Sequence, residues 1–94
     1  MIHKLAIVDD SSKVGNNVKI GAYSVVGPNV EIGDGSIVHS HVNLVGNTKI
    51  GEQNEIFPFC SIGTPPQDLK YKGEKNSVII GDNNKLREYV NINP

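Results

Sequence analysis

Aliphatic residues recur at every sixth position along almost the whole chain. The series runs without a miss over Ile2–Ile62, fails at Asp68 and Glu74, and resumes in the same phase over Ile80–Ile92. Fourteen of its sixteen positions are aliphatic, which excludes chance. A period of six does not fit the apolar stripe of an α-helix, which repeats every 3.6 residues. The pattern therefore predicts short strands separated by turns.

Two further columns keep the same register as this aliphatic ladder. The residue after a ladder position is often glycine, and the residue two before it is small or of modest size. The glycines are Gly15, Gly21, Gly27, Gly33, Gly51, Gly63 and Gly81. The smaller column includes Ser12, Val18, Ser24, Val30, Ser36, Val42, Thr48, Asn54, Cys60 and Val78. We expect both the ladder and the smaller column to point inward, and Gly and Asn to occupy corners where φ is positive.

Together the columns predict an all-β fold, a parallel β-helix of triangular section. Each hexapeptide supplies one wall and one corner, so three of them make a coil of eighteen residues. Successive coils rise by about 4.8 Å, the spacing of hydrogen-bonded strands. Residues 1–94 then form one β-helix domain of about five coils, whose stability accumulates coil by coil.

One segment interrupts the ladder and is the first candidate for function. We predict a protruding loop near residues 64–77, since Pro65 and Pro66 are adjacent and the glycine column is absent there. Ile62 and Ile80 are eighteen residues apart, so the spacing alone equally allows a degenerate coil. Composition alone is also consistent with a solvated insertion that binds nothing.

Composition and charge exclude several classes of function. A formal net charge of −1 and the absence of tryptophan argue against a nucleic-acid partner. The longest apolar run is Leu5–Val8, too short to insert into a membrane. A single cysteine, Cys60, excludes an intrachain disulfide and a paired-cysteine metal site. We expect a cytoplasmic protein.

Histidine and cysteine offer little independent chemistry. His39 and His41 are two residues apart and would share a face of a strand, a spacing that metal ligands can use. No third ligand is evident, so surface or packing histidines are the better interpretation, and we predict no metal site. Cys60 falls in the small-residue column, which predicts a buried and inert thiol rather than a nucleophile.

The columns resemble those of the hexapeptide-repeat acyltransferase family, whose prism is a left-handed β-helix. A narrower resemblance rests on Val25–Gly33, on Gly46–Gly51, and above all on Gln67-Asp68-Leu69-Lys70-Tyr71 followed by Ile79–Asn83. These segments are similar to the early coils and external loop of the acyltransferases that act on UDP-N-acetylglucosamine. Members of that group move a 3-hydroxyacyl chain from acyl carrier protein to the sugar's 3-hydroxyl, the first step of lipid A biosynthesis.

The resemblance implies specific roles and partners. The enzyme would be a homotrimer without cofactor, with UDP-N-acetylglucosamine and acyl carrier protein as substrates. Lys70 would hold the diphosphate or polarise the acyl oxygen, Asp68 would accept a hydroxyl hydrogen bond, and Gln67 would contact the same ligand. These three are the predicted substrate-binding residues.

The family's general-base histidine lies beyond residue 94, so no catalytic residue is predicted within the chain. Family members are also two to three times longer, with later coils and a C-terminal helical segment. The resemblance thus implies an N-terminal fragment that is inactive alone. Two alternatives remain: another hexapeptide acyltransferase or acetyltransferase, and a non-catalytic structural solenoid.

Overall fold

The computed structural model describes residues 1–64 and 77–94, and their regular structure is entirely β. Thirteen short strands follow one another in these ranges. They are β1 (Ile7–Val8), β2 (Lys13–Val14), β3 (Lys19–Ile20), β4 (Val25–Val26), β5 (Glu31–Ile32), β6 (Ile37–Val38), β7 (Asn43–Leu44), β8 (Asn47–Ile50), β9 (Glu55–Ile56), β10 (Ser61–Ile62), β11 (Ser77–Ile80), β12 (Lys85–Leu86) and β13 (Asn91–Ile92). Most have two residues because the chain turns a corner after each ladder position.

Three parallel sheets form the walls of a triangular prism. Wall 1 has the order β1-β4-β7-β10-β13, wall 2 the order β2-β5-β8-β11, and wall 3 the order β3-β6-β9-β12. Ile2 bridges Ile20 and adds a fifth level to wall 3. Partners in the early coils are eighteen residues apart, as in the pair Val8 and Val26. The predicted triangular parallel β-helix of about five coils is confirmed.

The ladder and the smaller column fill the inside of the prism, as expected. The ladder members Val26, Leu44 and Ile62 lie in register on wall 1 and are at most 1% exposed. The smaller column contributes buried residues of both kinds, apolar and polar. They are Val18, Ser24, Val30, Ser36, Val42, Thr48, Asn54, Cys60 and Val78. Burial is therefore continuous along the rod rather than concentrated in one place.

The buried polar side chains connect one coil to the next. Ser24 Oγ donates to the carbonyl oxygen of His39 at 2.7 Å and accepts from the backbone N–H of Val42 at 3.1 Å. Asn54 Nδ2 donates to Gly81 O at 2.7 Å, and its Oδ1 accepts from the N–H of Asn84 at 2.8 Å. These bonds satisfy backbone groups at the corners, where the strand ladder cannot.

The glycine column has a different cause from the one predicted. Of its seven members only Gly63 has positive φ, so the expectation of left-handed corners fails for the other six. Most of those six are constrained by the neighbouring coil. A Cβ on Gly33 would lie 2.6 Å from the carbonyl carbon of Gly51, and one on Gly21 would lie 2.7 Å from the nitrogen of Ser40. The column is needed because coils approach closely there.

Apart from Gly46 and Gly63, which lie between walls 1 and 2, positive φ occurs three residues after a ladder position, at the other two corners. The corner between walls 2 and 3 has Asn17, Gly35, Gln53 and Asn83 in this conformation. The corner between walls 3 and 1 has Tyr23, His41, Phe59 and Tyr89. The two corners therefore share a backbone conformation and differ completely in side-chain chemistry.

The coil register changes once. Ile62 pairs with Leu44 on one side, eighteen residues away, and with Ile92 on the other, thirty residues away. Ile50 and Ile80 show the same spacing of thirty. The strands before and after residues 65–76 thus pair directly, β10 with β13 on wall 1 and β8 with β11 on wall 2. No further coil lies between them. The predicted loop itself lies outside the described residues, apart from its ends.

Candidate functional site

The predicted substrate-binding residues Gln67, Asp68 and Lys70 lie outside the described residues. What the structure describes are the two points between which their segment runs. The chain leaves wall 1 after Ile62 and returns on wall 2 at Ser77, so both points lie at the corner between these walls.

The departure point is fixed by a glycine and a chain of polar side chains. Gly63 has φ of +88°, and a Cβ there would collide with the carbonyl oxygen of Val45. Its N–H donates to Ile92 O at 2.8 Å. Thr64 Oγ1 lies 3.4 Å from Ser61 Oγ and 3.3 Å from Asn93 Oδ1. These contacts fix the conformation of the chain up to Thr64.

A shallow groove of about 380 Å³ borders the return point on wall 2. Its floor includes the outward residues Lys13, Glu31 and Lys49, which are paired in register, and Ile79 follows Lys49 in the same row. The alternation of charge means that the carboxylate of Glu31 separates the two ammonium groups. Among the described residues, the row Lys13, Glu31 and Lys49 therefore offers no run of adjacent positive charges. Sequence reasoning missed this groove, although the eighteen-residue spacing of its charged side chains was a readable signal.

His39 belongs to a cluster on wall 3 that the sequence did not predict. Its Nε2 lies 2.8 Å from Oε2 of Glu55, and its ring stacks on Phe57 with centroids 4.9 Å apart. Arg87, on the next coil, places its guanidinium 4.1 Å from the centroid of the Phe57 ring. A cation over an aromatic face and a carboxylate beside an imidazole both stabilise contact between coils.

His41 does not share this cluster, so the expected common face of His39 and His41 is wrong. The chain turns the corner between them, and His41 adopts positive φ. Its ring lies 5.2 Å from Tyr23 below and 5.2 Å from Phe59 above, and Phe59 stacks on Tyr89 at 5.6 Å. Both histidines pack against rings. In the described ranges no three metal-binding side chains come together.

Cys60 is buried, as the sequence predicted, and its Sγ lies 2.9 Å from the carbonyl oxygen of Arg87. Burial raises the pKa of this thiol, because the thiolate would lose its hydration.

We therefore expect Cys60 to react at least ten times more slowly with iodoacetamide at pH 8 in the native chain than in urea. Only the thiolate attacks the reagent, and both the raised pKa and the burial suppress that attack. Mass spectrometry of the time course measures this rate. Equal rates in the two states would contradict a buried, inert thiol.

The described part of the chain contains no helix long and apolar enough to cross a membrane.

Comparison with known proteins finds two matches for this chain, one to a family of repeats and one to a particular kind of enzyme. The family "Bacterial transferase hexapeptide (six repeats)" matches residues 11–46. An acyl-carrier-protein–UDP-N-acetylglucosamine O-acyltransferase of Rickettsia peacockii is 52% identical over 91 residues, covering 97% of this chain and 34% of the relative. Over nearly its whole length the chain is similar to part of the UDP-N-acetylglucosamine O-acyltransferases. The corresponding enzyme of Thermodesulfovibrio yellowstonii is 50% identical over 97% of this chain and 35% of its own length.

The structure of the UDP-N-acetylglucosamine O-acyltransferase of Moraxella catarrhalis has the same fold. It superimposes with a TM-score of 0.94 at 47% identity, covering 98% of this chain and 36% of that one. The prism is accordingly the left-handed β-helix that the resemblance implied. The chain spans about a third of the length of the relatives it matches.

Proposed function

We propose that this chain forms part of an acyltransferase that moves a 3-hydroxyacyl chain from acyl carrier protein to the 3-hydroxyl of UDP-N-acetylglucosamine, at the start of lipid A biosynthesis. The observation that carries the proposal is 52% identity over 97% of the chain to an enzyme named for these two substrates. The conserved prism with a TM-score of 0.94 at 47% identity supports it.

The reaction requires one bond to form and one to break. The 3-hydroxyl oxygen of the sugar attacks the thioester carbonyl, the new C–O ester bond forms, and the C–S bond breaks. A general base takes the hydroxyl proton, and the thiol of the carrier leaves with a proton. Donors aimed at the developing oxyanion stabilise the intermediate. The proposed base is a histidine outside these 94 residues, as the resemblance implies.

The contribution of this chain is substrate binding by the segment between Thr64 and Ser77, whose two ends lie at the corner between walls 1 and 2. Lys70 carries a charge that matches the diphosphate of the nucleotide sugar, or an acyl oxygen that it polarises. Asp68 accepts a hydrogen bond from a sugar or acyl hydroxyl, and Gln67 bonds the same ligand. The fixed exit at Gly63 supports this role, because it constrains where the segment begins.

The assembly belongs to the same proposal. We propose a cytoplasmic homotrimer that needs no cofactor and inserts into no membrane. The alternatives are another hexapeptide acyltransferase or acetyltransferase, and a non-catalytic solenoid. The identity to enzymes of one named activity favours the first proposal over both.

A chimera tests the activity. The 91 matched residues of the R. peacockii enzyme are replaced by this chain. Acyl transfer is then followed with 3-hydroxyacyl carrier protein and UDP-N-acetylglucosamine, with acetyl coenzyme A as the competing donor. We expect ester formation only with the acyl carrier protein. A folded chimera that prefers the coenzyme A donor, or transfers nothing, would contradict the proposal.

In the same chimera, Lys70→Ala should lower kcat/KM at least tenfold, because the ligand loses its ionic partner. That factor corresponds to about 1.4 kcal/mol of transition-state binding. The matched control is Lys72→Ala, which removes the same charge two residues further along and should leave kcat/KM within about twofold. If both variants keep the parent value, Lys70 does not bind substrate.

A further inference from the structure

The outward side chains of wall 2 form a row that alternates in charge and ends on an aliphatic residue. From coil to coil, and in register, the row consists of Lys13, Glu31, Lys49 and Ile79. Both lysines are exposed, and Ile79 is 75% exposed. All four residues line the shallow groove on this wall. We call them the wall 2 row; its four levels span about 14 Å at the spacing of paired strands.

The charges of the wall 2 row are not consumed by ion pairs within the chain. Opposite charges on adjacent strands attract one another, so pairing along the wall is the first possibility to consider. The ion pairs that the described residues form are instead those of His39 with Glu55 and of Arg87 with Glu88, outside wall 2. The carboxylate of Glu31 and the two ammonium groups beside it are therefore available to a partner.

The row is complementary to itself when its order is reversed. A two-fold axis along the strand direction brings the wall 2 faces of two copies together with their rods antiparallel. This rotation keeps each column opposite its own copy and reverses the order of the levels. Glu31 then faces Lys49 of the second copy, and Lys49 faces Glu31. At the two ends, Ile79 lies over the aliphatic stem of Lys13, which packs against apolar surface while its ammonium group stays in water.

Other arrangements bring like charges together. With parallel rods each residue of the row meets its own copy, so Lys13 faces Lys13 and Glu31 faces Glu31, and like charges at a contact repel. The outward row of wall 3 begins at Lys19 and ends at Lys85, so its reversal places lysine opposite lysine. The charge pattern therefore selects both wall 2 and the antiparallel direction.

A second column on the groove accepts the same reversal. It consists of Ser11, Asn29, Asn47 and Ser77, which are uncharged. Read from either end, the order is serine, asparagine, asparagine, serine. Each level therefore meets a hydroxyl or an amide, and both of these groups donate and accept hydrogen bonds. No charged group is forced against this column by the pairing.

The spacing of the levels also favours a second copy over an extended peptide. Side chains on one face of a β-strand recur about every 6.8 Å along the strand, whereas the levels of the wall rise by about 4.8 Å. A peptide laid along the groove would lose register after one contact. Another wall of the same β-helix keeps register over all four levels.

We propose that two copies of this chain bind face to face through wall 2, with antiparallel rods, and that Glu31 of each copy pairs with Lys49 of the other. The contact spans four levels of one wall, so its area is small and the association is weak. It is distinct from the proposed homotrimer, whose three-fold axis keeps every rod pointing the same way. The wall 2 contact joins one such assembly to another.

A charge exchange tests the pairing. Glu31→Lys makes every charge of the row positive, so no register pairs opposite charges, and the dissociation constant should rise at least about tenfold. Adding Lys49→Glu exchanges the two charges and restores both ion pairs, so the double variant should return to within about threefold of the wild type. The matched control is Glu52→Lys, the same charge change at the corner between walls 2 and 3, which should leave the constant unchanged. Analytical ultracentrifugation gives the constants, and far-UV circular dichroism confirms that the strands are kept.

Cross-linking tests the direction. In a Cys60→Ser background, a mixture of the Lys13→Cys and Ile79→Cys variants should be linked by a bismaleimide that spans about 10 Å, the distance between packed sheets. Neither variant should be linked when it is alone, because antiparallel faces hold position 13 opposite position 79.

Four results would each overturn the proposal. They are linkage within either single variant, no association of the wild type at about 1 mM chain, where a contact of about −4 kcal/mol is half formed, no weakening by Glu31→Lys beyond that by Glu52→Lys, and a double variant as weak as Glu31→Lys. No substrate enters these measurements, so failure of the wall 2 contact is distinguishable from failure of the acyltransferase assignment, which the chimera tests.

Discussion

Ile50→Ala is expected to lower the free energy of unfolding by about 2–5 kcal/mol. Ile50 is 1% exposed and lies in register between Ile32 and Ile80 on wall 2. The backbone hydrogen bonds of the neighbouring coils hold the walls at a fixed distance; Gly51 N, for example, donates to Ile80 O at 2.8 Å. The prism therefore closes poorly around the lost methyl groups, and a cavity remains.

The matched control is Ile79→Ala, the same substitution on the same wall. Ile79 points outward and is 75% exposed, so its truncation should change the free energy of unfolding by no more than about 0.5 kcal/mol. Urea titrations followed by far-UV circular dichroism, at one protein concentration, measure both variants. Similar losses in the two would mean that the ladder is not the interior of the prism.

Gly33→Ala should destabilise the chain by about 1–3 kcal/mol, although alanine is the smallest possible change. The added Cβ would lie 2.6 Å from Gly51 C, 2.7 Å from Gly51 O and 2.8 Å from Glu52 N. All three are backbone atoms, which cannot rotate away as a side chain would. Relief requires the two coils to separate, and this weakens the bond from Gly33 N to Ile50 O, now 2.8 Å.

Gly27→Ala serves as the control within the same column. Its Cβ would lie 3.4 Å from Val45 Cα and 3.5 Å from Leu44 O, which is ordinary contact. Because φ is not positive there, alanine should be neutral or should stabilise by up to about 1 kcal/mol through the unfolded chain. Thermal unfolding of the two variants side by side gives the comparison. A loss at Gly27 as large as that at Gly33 would contradict the close-approach account of the column.

The sequence predicted the glycine column correctly but for the wrong physical reason. Its sixfold register is visible in the sequence, and so is its place at corners. The sequence does not show that a Cβ on Gly33 would meet the backbone of Gly51, eighteen residues on, since that distance depends on how closely two coils approach. The left-handed positions were missed for a related reason. Tyr23 and Phe59 are residue types that positive φ disfavours, so propensity predicts the opposite of what the fold contains.

The candidate functional residues likewise include some that the sequence reveals and some that it does not. The Gln67–Tyr71 segment is recognisable as sequence, and its resemblance to one acyltransferase group agrees with 52% identity to a named enzyme. The residues that lie around His39 are not recognisable. Glu55 and Phe57 are sixteen and eighteen residues away from it, and Arg87 is forty-eight away because twelve additional residues intervene before its coil.

Sequence alone determined the period, the inward ladder, the three-walled section and the number of coils. A solenoid allows this because each coil repeats one local rule, and side chains that stack are always one coil apart. Only the tertiary structure decided what the corners contain and which outward side chains meet. Those contacts depend on the spacing of coils and on the register after residues 65–76, where partners change from eighteen to thirty residues apart. A six-residue repeat specifies neither the coil spacing nor this register, because both arise from the packing of one coil against the next.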